Sequence, residues 1–473
     1  MKFVKHSFLY GSLIIVFGGL IFFLLNKGSE QFQIQSSEKN APAVKSTSGV
    51  LQDTFHLNIQ EALPRLLLQI VIIIAATQLL GFLFKKIGQP AVIGETVAGI
   101  LLGPSLFGLL FPGSFHFVFP VESLPNLRFL SQLGLILFMF IIGMELDTRL
   151  LRKQAYEALI ISHASILIPF AMGIFLSFYL YGLYAVGETS FYSFALFMGT
   201  AMSITAFPVL ARIIRDRKLT DTKLGTLALS CAASDDVTAW CILAILIAMI
   251  KSGTGMNGFI IVGFVVIYVI LMLIPVRLML KKLQSLYDQQ KISYNSFMAI
   301  LFSFLLLSAY CTELIGIHAL FGGFLAGIII PKNESLKLKL IDRISDLTLV
   351  MLLPLFFVYT GLRTNAGLLN TGVLWFSFGL ILLCAVAGKF GGSALIARAL
   401  GQSWKDSLSI GALLNTRGLM ELIVLNIGYD MGILSTEIFS MMVLMALLTT
   451  MMTNPILNRI SVTGQKRAQD EIS

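Results

Sequence analysis

The stretch LLLQIVIIIAATQLLGFL, Leu66–Leu83, has no charged side chain. A membrane-spanning helix needs about 20 mostly apolar residues, and this stretch is close to that length. Phe259–Leu273 is a similar run, and others recur along the chain. Membrane β-strands alternate apolar and polar residues, a pattern that neither run shows. The sequence therefore predicts an all-α polytopic membrane protein.

The composition of the whole chain agrees with this class. Of the 473 residues, 56% are hydrophobic and 12% are charged, whereas a soluble protein has about 25% charged residues. A net charge of +9 can indicate nucleic-acid binding, but in a membrane protein the positions of Lys and Arg report topology. We expect no nucleic-acid partner and no cofactor. The chain has no HExxH, Ser/His/Asp or phosphate-loop pattern, so we do not expect an enzyme.

About fourteen stretches are predicted as transmembrane helices. They are 8–26, 64–84, 90–109, 126–146, 154–181, 191–211, 223–250, 257–276, 293–315, 318–331, 344–361, 373–397, 406–428 and 435–457. The connections on one side then hold 25 of the 34 Lys and Arg residues, and those on the other side hold 7. Cytoplasmic loops carry the basic excess. We therefore expect both termini in the cytoplasm and a multi-pass protein of a bacterial inner membrane.

The chain is predicted to have four parts. Residues 1–27 have the basic start and apolar run of a signal peptide, but the run is long and lacks an A-x-A-like cleavage site. An uncleaved transmembrane helix is therefore favoured over a cleaved signal. Residues 28–63 are polar and predict an extracytoplasmic linker. Residues 64–457 form the membrane domain, and 458–473 form a short cytoplasmic tail.

Two adjacent aspartates lie in the middle of one predicted span. LSCAASDDVTAW, Leu229–Trp240, contains Asp235 and Asp236. A charge at this depth costs at least about 2.5 kcal/mol and indicates function by default. Neighbouring helical positions point about 100° apart, and two close carboxylates in a low dielectric repel each other. We interpret the pair as a site that takes up a proton or a cation, rather than as a lock between helices.

Lys389 lies in the span 373–397, within GKFGG, Gly388–Gly392. A buried ammonium needs a carboxylate partner or loses its proton. Snorkelling is the alternative, but the cytoplasmic end is about eight residues away, a long reach for one side chain. We predict that Lys389 pairs with Asp235 or Asp236.

Two predicted spans contain residues that interrupt helices. The stretches are GTAMSITAFPVLARIIRD, Gly199–Asp216, and GALLNTRGLMELIVLNIG, Gly411–Gly428. Pro and Gly weaken a helix, and freed backbone groups at membrane depth are tolerated only where they line a cavity or meet a buried group. Broken helices at corresponding positions of two halves indicate an ion site. The polar residues and proline at these breaks are Ser203, Thr205, Pro208, Asn415, Thr416, Arg417 and Glu421.

The two interrupted spans run in opposite directions, as inverted repeats require, although their sequence similarity is weak. Arg417 and Glu421 are four residues apart on one helix. A local salt bridge and a direct role in the cation path both remain open for this pair.

These stretches resemble the monovalent cation–proton antiporter family 2, which has the sodium/proton exchanger fold, and especially its plant cation/H⁺ exchanger branch. The resemblance covers nearly all of 64–457. The motifs that carry it are GQPAVIGETVAGILLGPSLFG (Gly88–Gly108), GMELD (Gly143–Asp147), SITAFPVLARII (Ser203–Ile214), SDD (Ser234–Asp236), HALFGGFLAGIIIP (His318–Pro331), LLPLFFVYTGLRT (Leu352–Thr364) and NTRGLMELIVLNIG (Asn415–Gly428).

The resemblance implies a homodimer in which a dimerisation domain holds a moving six-helix core, with two discontinuous helices crossing beside the carboxylates. It implies that Asp236 binds H⁺ and a monovalent cation in turn and that Asp235 pairs with Lys389. Thr205 and neighbouring groups at the first break, including Ser203, would coordinate the ion.

The chain departs from the plant branch at two positions. That branch usually has Asn-Asp in place of Asp235-Asp236 and commonly has Lys in place of Arg417. A second carboxylate resembles members that exchange two protons per sodium, so we expect electrogenic exchange.

The predicted function is exchange of Na⁺, K⁺ or Li⁺ for H⁺ by alternating access. The bound metal is then the transported cation, held by Asp236 and Asp235, with accessory roles for Asn415, Thr416, Arg417 and Glu421. One alternative is a channel-like potassium efflux pathway. Another is a transport-inactive membrane receptor or assembly module, in which 28–63 binds an extracytoplasmic partner.

Overall fold

A computed structural model describes Gly19 and residues 61–145, 155–187, 189–219, 222–252, 255–331 and 334–470. Across these ranges the chain is helical and contains no strand. Apart from Gly19, the predicted span 8–26 lies outside the described residues. So do nearly all of the predicted linker 28–63 and the end of the GMELD motif.

The α-helices are named here in chain order. They are α1 Ala62–Lys86, α2 Ala91–Leu102, α3 Phe107–Leu110, α4 Pro112–Val118, α5 Leu124–Glu145, α6 Ala155–Tyr184, α7 Phe191–Ser203, α8 Phe207–Asp216, α9 Lys223–Ser252, α10 Gly255–Leu271, α11 Arg277–Asp288, α12 Tyr294–Ile315, α13 Ala319–Ile329, α14 Glu334–Asp346, α15 Leu353–Arg363, α16 Gly372–Val386, α17 Gly392–Ala399, α18 Trp404–Leu414, α19 Leu419–Asp430 and α20 Thr436–Asp470. Three π-helical segments continue the helix between neighbours: Met272–Val276, Leu347–Leu352 and Ala387–Gly391.

The described residues confirm the all-α polytopic class. They contain 11 helices long and apolar enough to cross a membrane, or up to 12 if the bent pair α18–α19 is one span. In the predicted span 318–331, α13 has 11 residues, and α20 continues past the predicted end at 457 to Asp470. Because these numbers refer to the described residues only, the count of about fourteen membrane spans stays a prediction. The inverted repeats also stay a prediction.

The helices pack as two bundles. The site bundle contains α6, α7–α8, α9, α16–α17, α18–α19 and α20, and the flanking bundle contains α1, α2, α5 and α10–α15. Helices contact each other extensively within each bundle. Between bundles, the contacts include α15 with α19, α2 with α20 and the consecutive pair α9 and α10. The site bundle has six members when each interrupted pair is counted as one. That it is the moving six-helix core implied by the resemblance stays a prediction.

Glycines permit close helix crossings in both bundles. In the flanking bundle, Gly143 of α5 lies against Gly327 of α13. In the site bundle, Gly173 of α6 lies against Gly199 of α7. A Cβ at any of these positions would overlap the backbone of the facing helix. Helices in membranes associate through such small-residue contacts, which explains these glycines without a direct role in transport.

Candidate ion site

Two helices of the site bundle are broken where the sequence predicts. The first break, 204–206, separates α7 from α8, and the second, 415–418, separates α18 from α19, with a bend of 42°. The two breaks touch, because the Ala206 amide donates to the Thr416 carbonyl at 3.0 Å. Backbone groups freed at one break are thus partly satisfied by the other, as burial requires.

Asp235 lies on α9, fully buried, and its carboxylate accepts from four donors. Ser162 Oγ donates to Oδ1 at 2.6 Å, while Ser165 Oγ and Thr205 Oγ1 donate to Oδ2 at 2.6 Å each. Lys389 Nζ lies 3.4 Å from the same Oδ2. Hydrogen bonds to an ionised acceptor are roughly twice as strong as neutral ones. The protein therefore satisfies Asp235 as a carboxylate.

Lys389 reaches this carboxylate from the π-helical segment Ala387–Gly391. Single π turns inside α-helices are frequent at functional sites. The ammonium also donates to the carbonyl of Ser165 at 3.0 Å and to the carbonyl of Ser203. A lysine ammonium has three N–H donors, and three acceptors surround it here. Lys389 is thus held as a cation with Asp235, one of the two partners considered from the sequence.

Asp236 has different surroundings. Its side chain is buried, yet neither carboxylate oxygen has a hydrogen-bond partner among the described residues. The backbone amide of Phe207, the first residue of α8, lies near it, and a helix N-terminus attracts negative charge. A buried carboxylate without a partner is costly. Asp236 is therefore a buried carboxylate whose charge no hydrogen bond from the described residues stabilises.

Arg417 links the two broken helices. Its guanidinium donates to Glu421 Oε1 at 2.9 Å, to the Ala201 carbonyl at 3.2 Å and to the Met202 carbonyl at 2.6 Å. Those carbonyls belong to the last turn of α7, where backbone acceptors lack helical partners and carry partial negative charge. The local salt bridge is thus present, together with a capping role that the sequence did not indicate.

The buried charges of the described residues do not balance. Five charged side chains are buried: Asp235, Asp236, Lys389, Arg417 and Glu421. Lys389 pairs with Asp235 and Arg417 pairs with Glu421, which leaves Asp236 without an opposite charge in this set. One proton or one monovalent cation would make the set neutral.

The other predicted polar residues lie at the breaks. Ser203 Oγ donates to the Thr200 carbonyl at 2.8 Å, and Thr416 Oγ1 donates to the Leu413 carbonyl at 2.7 Å. Each hydroxyl thus donates to a carbonyl three residues earlier in the chain, Ser203 within α7 and Thr416 to the end of α18. The amide oxygen of Asn415 is buried and has no hydrogen-bond partner in the part of the chain that is described. Asn415 therefore offers a buried oxygen that no group of the described residues uses.

Ser162 and Ser165 were not identified from the sequence. They are three residues apart on α6 and so lie on the same face. The sequence gives little indication that these two serines contact a carboxylate, because a helical serine can also donate to a carbonyl of its own helix. Ser177 of α6 does so, to the Gly173 carbonyl at 2.8 Å. Only the packing of α6 against α9 distinguishes the serines that face Asp235.

Long apolar helices, two helices that break where they touch, and buried carboxylates together define the class of secondary transporters with discontinuous helices. A family profile described as sodium/hydrogen exchanger, transmembrane, matches residues 70–459. The chain belongs to the sodium/hydrogen exchanger family.

Similar proteins come from a bacterium, a plant and a yeast. The chain is 44% identical over 396 residues to the Na(+)/H(+) antiporter NhaS4 of Synechocystis sp., which covers 84% of this chain and 97% of that protein. It is 40% identical to Cation/H(+) antiporter 17 of Arabidopsis thaliana, over 90% of this chain and 51% of that protein. It is 33% identical to K(+)/H(+) antiporter 1 of Saccharomyces cerevisiae, over 86% of this chain and 47% of that protein. The chain thus spans about half the length of these plant and yeast relatives.

A solved structure confirms the fold. The sodium proton antiporter MjNhaP1 of Methanocaldococcus jannaschii matches with a TM-score of 0.59 and 14% sequence identity. The match covers 85% of this chain and 98% of that one. At this identity the likeness concerns the fold alone.

Proposed function

We propose that this protein exchanges a monovalent cation, Na⁺, K⁺ or Li⁺, for H⁺ across a bacterial inner membrane, with Asp236 binding either ion. The observation that carries the proposal is the charge of the site. Asp236 is the one member of the buried charged set without a counter-charge, and a desolvated carboxylate needs one. The similar proteins, which are Na(+)/H(+), cation/H(+) and K(+)/H(+) antiporters, support the same exchange.

Competition at Asp236 couples the two ions. With the site open to one side, a proton neutralises the carboxylate and permits the site bundle to move through the membrane. On the other side a cation displaces the proton and permits the return. Movement with the charge uncompensated is disfavoured because a lone buried carboxylate is costly. The Asn415 amide oxygen and the backbone carbonyls of the breaks are the hard oxygen ligands proposed to accompany Asp236.

Asp235 and Lys389 have a different proposed role. Their hydrogen bonds tie α9 to α6, to the first break and to the π-helical segment of Lys389. These hydrogen bonds hold in place the segment of α9 that carries Asp236. The second carboxylate beside Asp236 is the basis for the proposed electrogenic exchange. We further propose that two copies form a homodimer and that both termini are cytoplasmic.

Flux through proteoliposomes tests the exchange. Purified wild type should alter the lumenal pH on addition of NaCl, KCl or LiCl, and choline chloride should have no effect. Asp236→Asn should reduce the flux by about 100-fold or more, since an amide neither takes up a proton nor balances a cation. Wild type without cation-dependent proton flux would contradict the proposal, as would Asp236→Asn with the wild-type rate. A current without proton movement would favour the channel alternative.

Stoichiometry has its own test in the same vesicles. A membrane potential imposed without any pH gradient should drive Na⁺ or Li⁺ exchange if more protons than cations move per cycle. Exchange that does not respond to the potential would contradict the electrogenic prediction and leave the antiport itself intact.

A further inference from the structure

We infer that Asp430, Arg128 and Arg363 form an outer latch, which holds the site bundle against the flanking bundle while the ion site is open to the opposite side of the membrane. The inference rests on the alternating access proposed above. The three residues are positioning residues, because they act on the arrangement of the two bundles.

The latch joins the two bundles through one carboxylate. Asp430 is the last residue of α19 in the site bundle. Its Oδ2 lies 3.0 Å from Arg128 Nη2 and its Oδ1 lies 2.6 Å from Arg363 Nη1. Arg128 is in the first turns of α5, and Arg363 is the last residue of α15, both in the flanking bundle. Each carboxylate oxygen of Asp430 thus forms an ion pair with one arginine of the flanking bundle.

Arg363 makes further contacts with both bundles. Its guanidinium lies over the ring of Tyr359 at 4.2 Å and over the ring of Tyr429 at 5.2 Å. One ring belongs to α15 and the other to α19. Arg363 Nη1 also lies 3.3 Å from Asn426 Oδ1, and Asn426 donates to Thr360 Oγ1 at 2.8 Å. Cation–π contacts and charged hydrogen bonds at one place make a stronger connection than an isolated surface ion pair.

The position of the latch gives its side of the membrane. α18 begins beside Arg398 and Lys405, which belong to the connections that hold 25 of the 34 Lys and Arg residues. α19, which follows α18, ends at the opposite face of the membrane. The positive-inside rule assigns that face to the outside. At the basic face, contacts between the bundles include amide hydrogen bonds, from Asn454 Nδ2 to the Gly88 carbonyl at 2.6 Å and from Gln89 Nε2 to the Met451 carbonyl at 3.3 Å.

A cavity between the bundles lies next to the latch. Its volume is about 450 Å³. Arg128 and Gln132 of the flanking bundle line it, and so do Ile247, Ile427 and Asp430 of the site bundle. An ion that enters from this face would have to pass between the same two surfaces. Separation of Asp430 from its arginines would therefore accompany opening of the site to this side.

Reversible cross-linking tests whether the latch must open. The four cysteines, Cys231, Cys241, Cys311 and Cys384, are first replaced, and exchange by the cysteine-free chain is verified. Arg128→Cys with Asp430→Cys is then treated with a bifunctional methanethiosulfonate. Cross-linking should reduce exchange to background and a reductant should restore it, whereas a monofunctional reagent should not block exchange. Full exchange by the cross-linked protein would overturn the latch while leaving the antiport proposal standing.

Charge neutralisation tests whether the ion pairs bias the equilibrium. Asp430→Asn should favour the outward-open form, so the apparent affinity for a cation added outside should rise roughly three- to tenfold, with a smaller change in maximal rate. Asp430→Glu should behave like the wild type because it keeps the charge. Glu437→Gln removes a carboxylate near the same end of the site bundle and should leave the affinity unchanged. An affinity of Asp430→Asn equal to that of wild type, or an equal rise in Glu437→Gln, would overturn the inference.

Discussion

Asp235 and Asp236 are consecutive on α9, but the two sides of this helix offer different surroundings. The side that meets α6 and the first break provides three hydroxyl donors and an ammonium to Asp235. Asp236 is equally buried and receives no hydrogen bond from the described residues. Removing one partner of a buried, paired charge is strongly destabilising, whereas a buried carboxylate without a partner is available to an ion from solution. We therefore assign a structural role to Asp235 and the transport role to Asp236.

The largest expected difference between the two aspartates is in stability. Asp235→Asn should destabilise the protein by about 3–5 kcal/mol, because it leaves the Lys389 ammonium buried without its counter-ion. Asp236→Asn should not destabilise the protein, because it replaces a costly buried carboxylate that has no hydrogen-bond partner among the described residues. The melting temperature of each purified variant in detergent, monitored by light scattering and tryptophan fluorescence, measures the difference.

A second substitution provides the control for that result. Lys389→Met combined with Asp235→Asn removes both charges and should be less destabilised than the sum of the two single variants. If Asp235→Asn and Asp236→Asn melt at the same temperature, the contrast between the two carboxylates is wrong.

The hydroxyl donors should have an intermediate effect. Ser162→Ala and Ser165→Ala should each cost about 1.5–3 kcal/mol, the usual contribution of a hydrogen bond to a charged group. Ser177→Ala is the matched control on α6, because its hydroxyl is buried and donates to the Gly173 carbonyl of the same helix. Its loss should cost about 1 kcal/mol or less. Equal losses in the three variants would show that the serines around Asp235 are ordinary helix serines.

Arg417→Lys should have the smallest effect. Lysine keeps the charge opposite Glu421 but lacks the planar fork with which Arg417 reaches two carbonyls of α7. We expect a loss of about 1 kcal/mol in stability and a transport rate within a few-fold of wild type. The same flux and melting measurements apply. A complete loss of exchange in a stable Arg417→Lys protein would place the guanidinium in the ion path instead.

The fold class was predictable because it depends on composition and length. Apolar runs such as Leu66–Leu83 predict spans whatever their neighbours, and both breaks were visible from Pro208, Gly418 and the polar residues beside them. The choice of a carboxylate partner for Lys389 also followed from the cost of burying a lone charge. These inferences need no knowledge of which helices touch.

The surroundings of each aspartate were not predictable in the same way. Ser162 and Ser165 are about 70 residues from Asp235 in the chain, and nothing local distinguishes them from Ser177. The three residues of the latch lie on three helices, and each is an ordinary charge at a helix end in the sequence. The capping of α7 by Arg417 likewise depends on how the two breaks cross. Such contacts appear only once the packing of the bundles is known.

The most direct test of the central claim is proton release in the absence of a membrane. Na⁺, K⁺ or Li⁺ is added to purified protein in a weakly buffered detergent solution, and the pH is followed. Wild type should release protons as the cation displaces them from Asp236, and folded Asp236→Asn should release none. If folded Asp236→Asn releases as many protons as wild type, the ion and the proton do not compete at Asp236, and the proposed site is wrong.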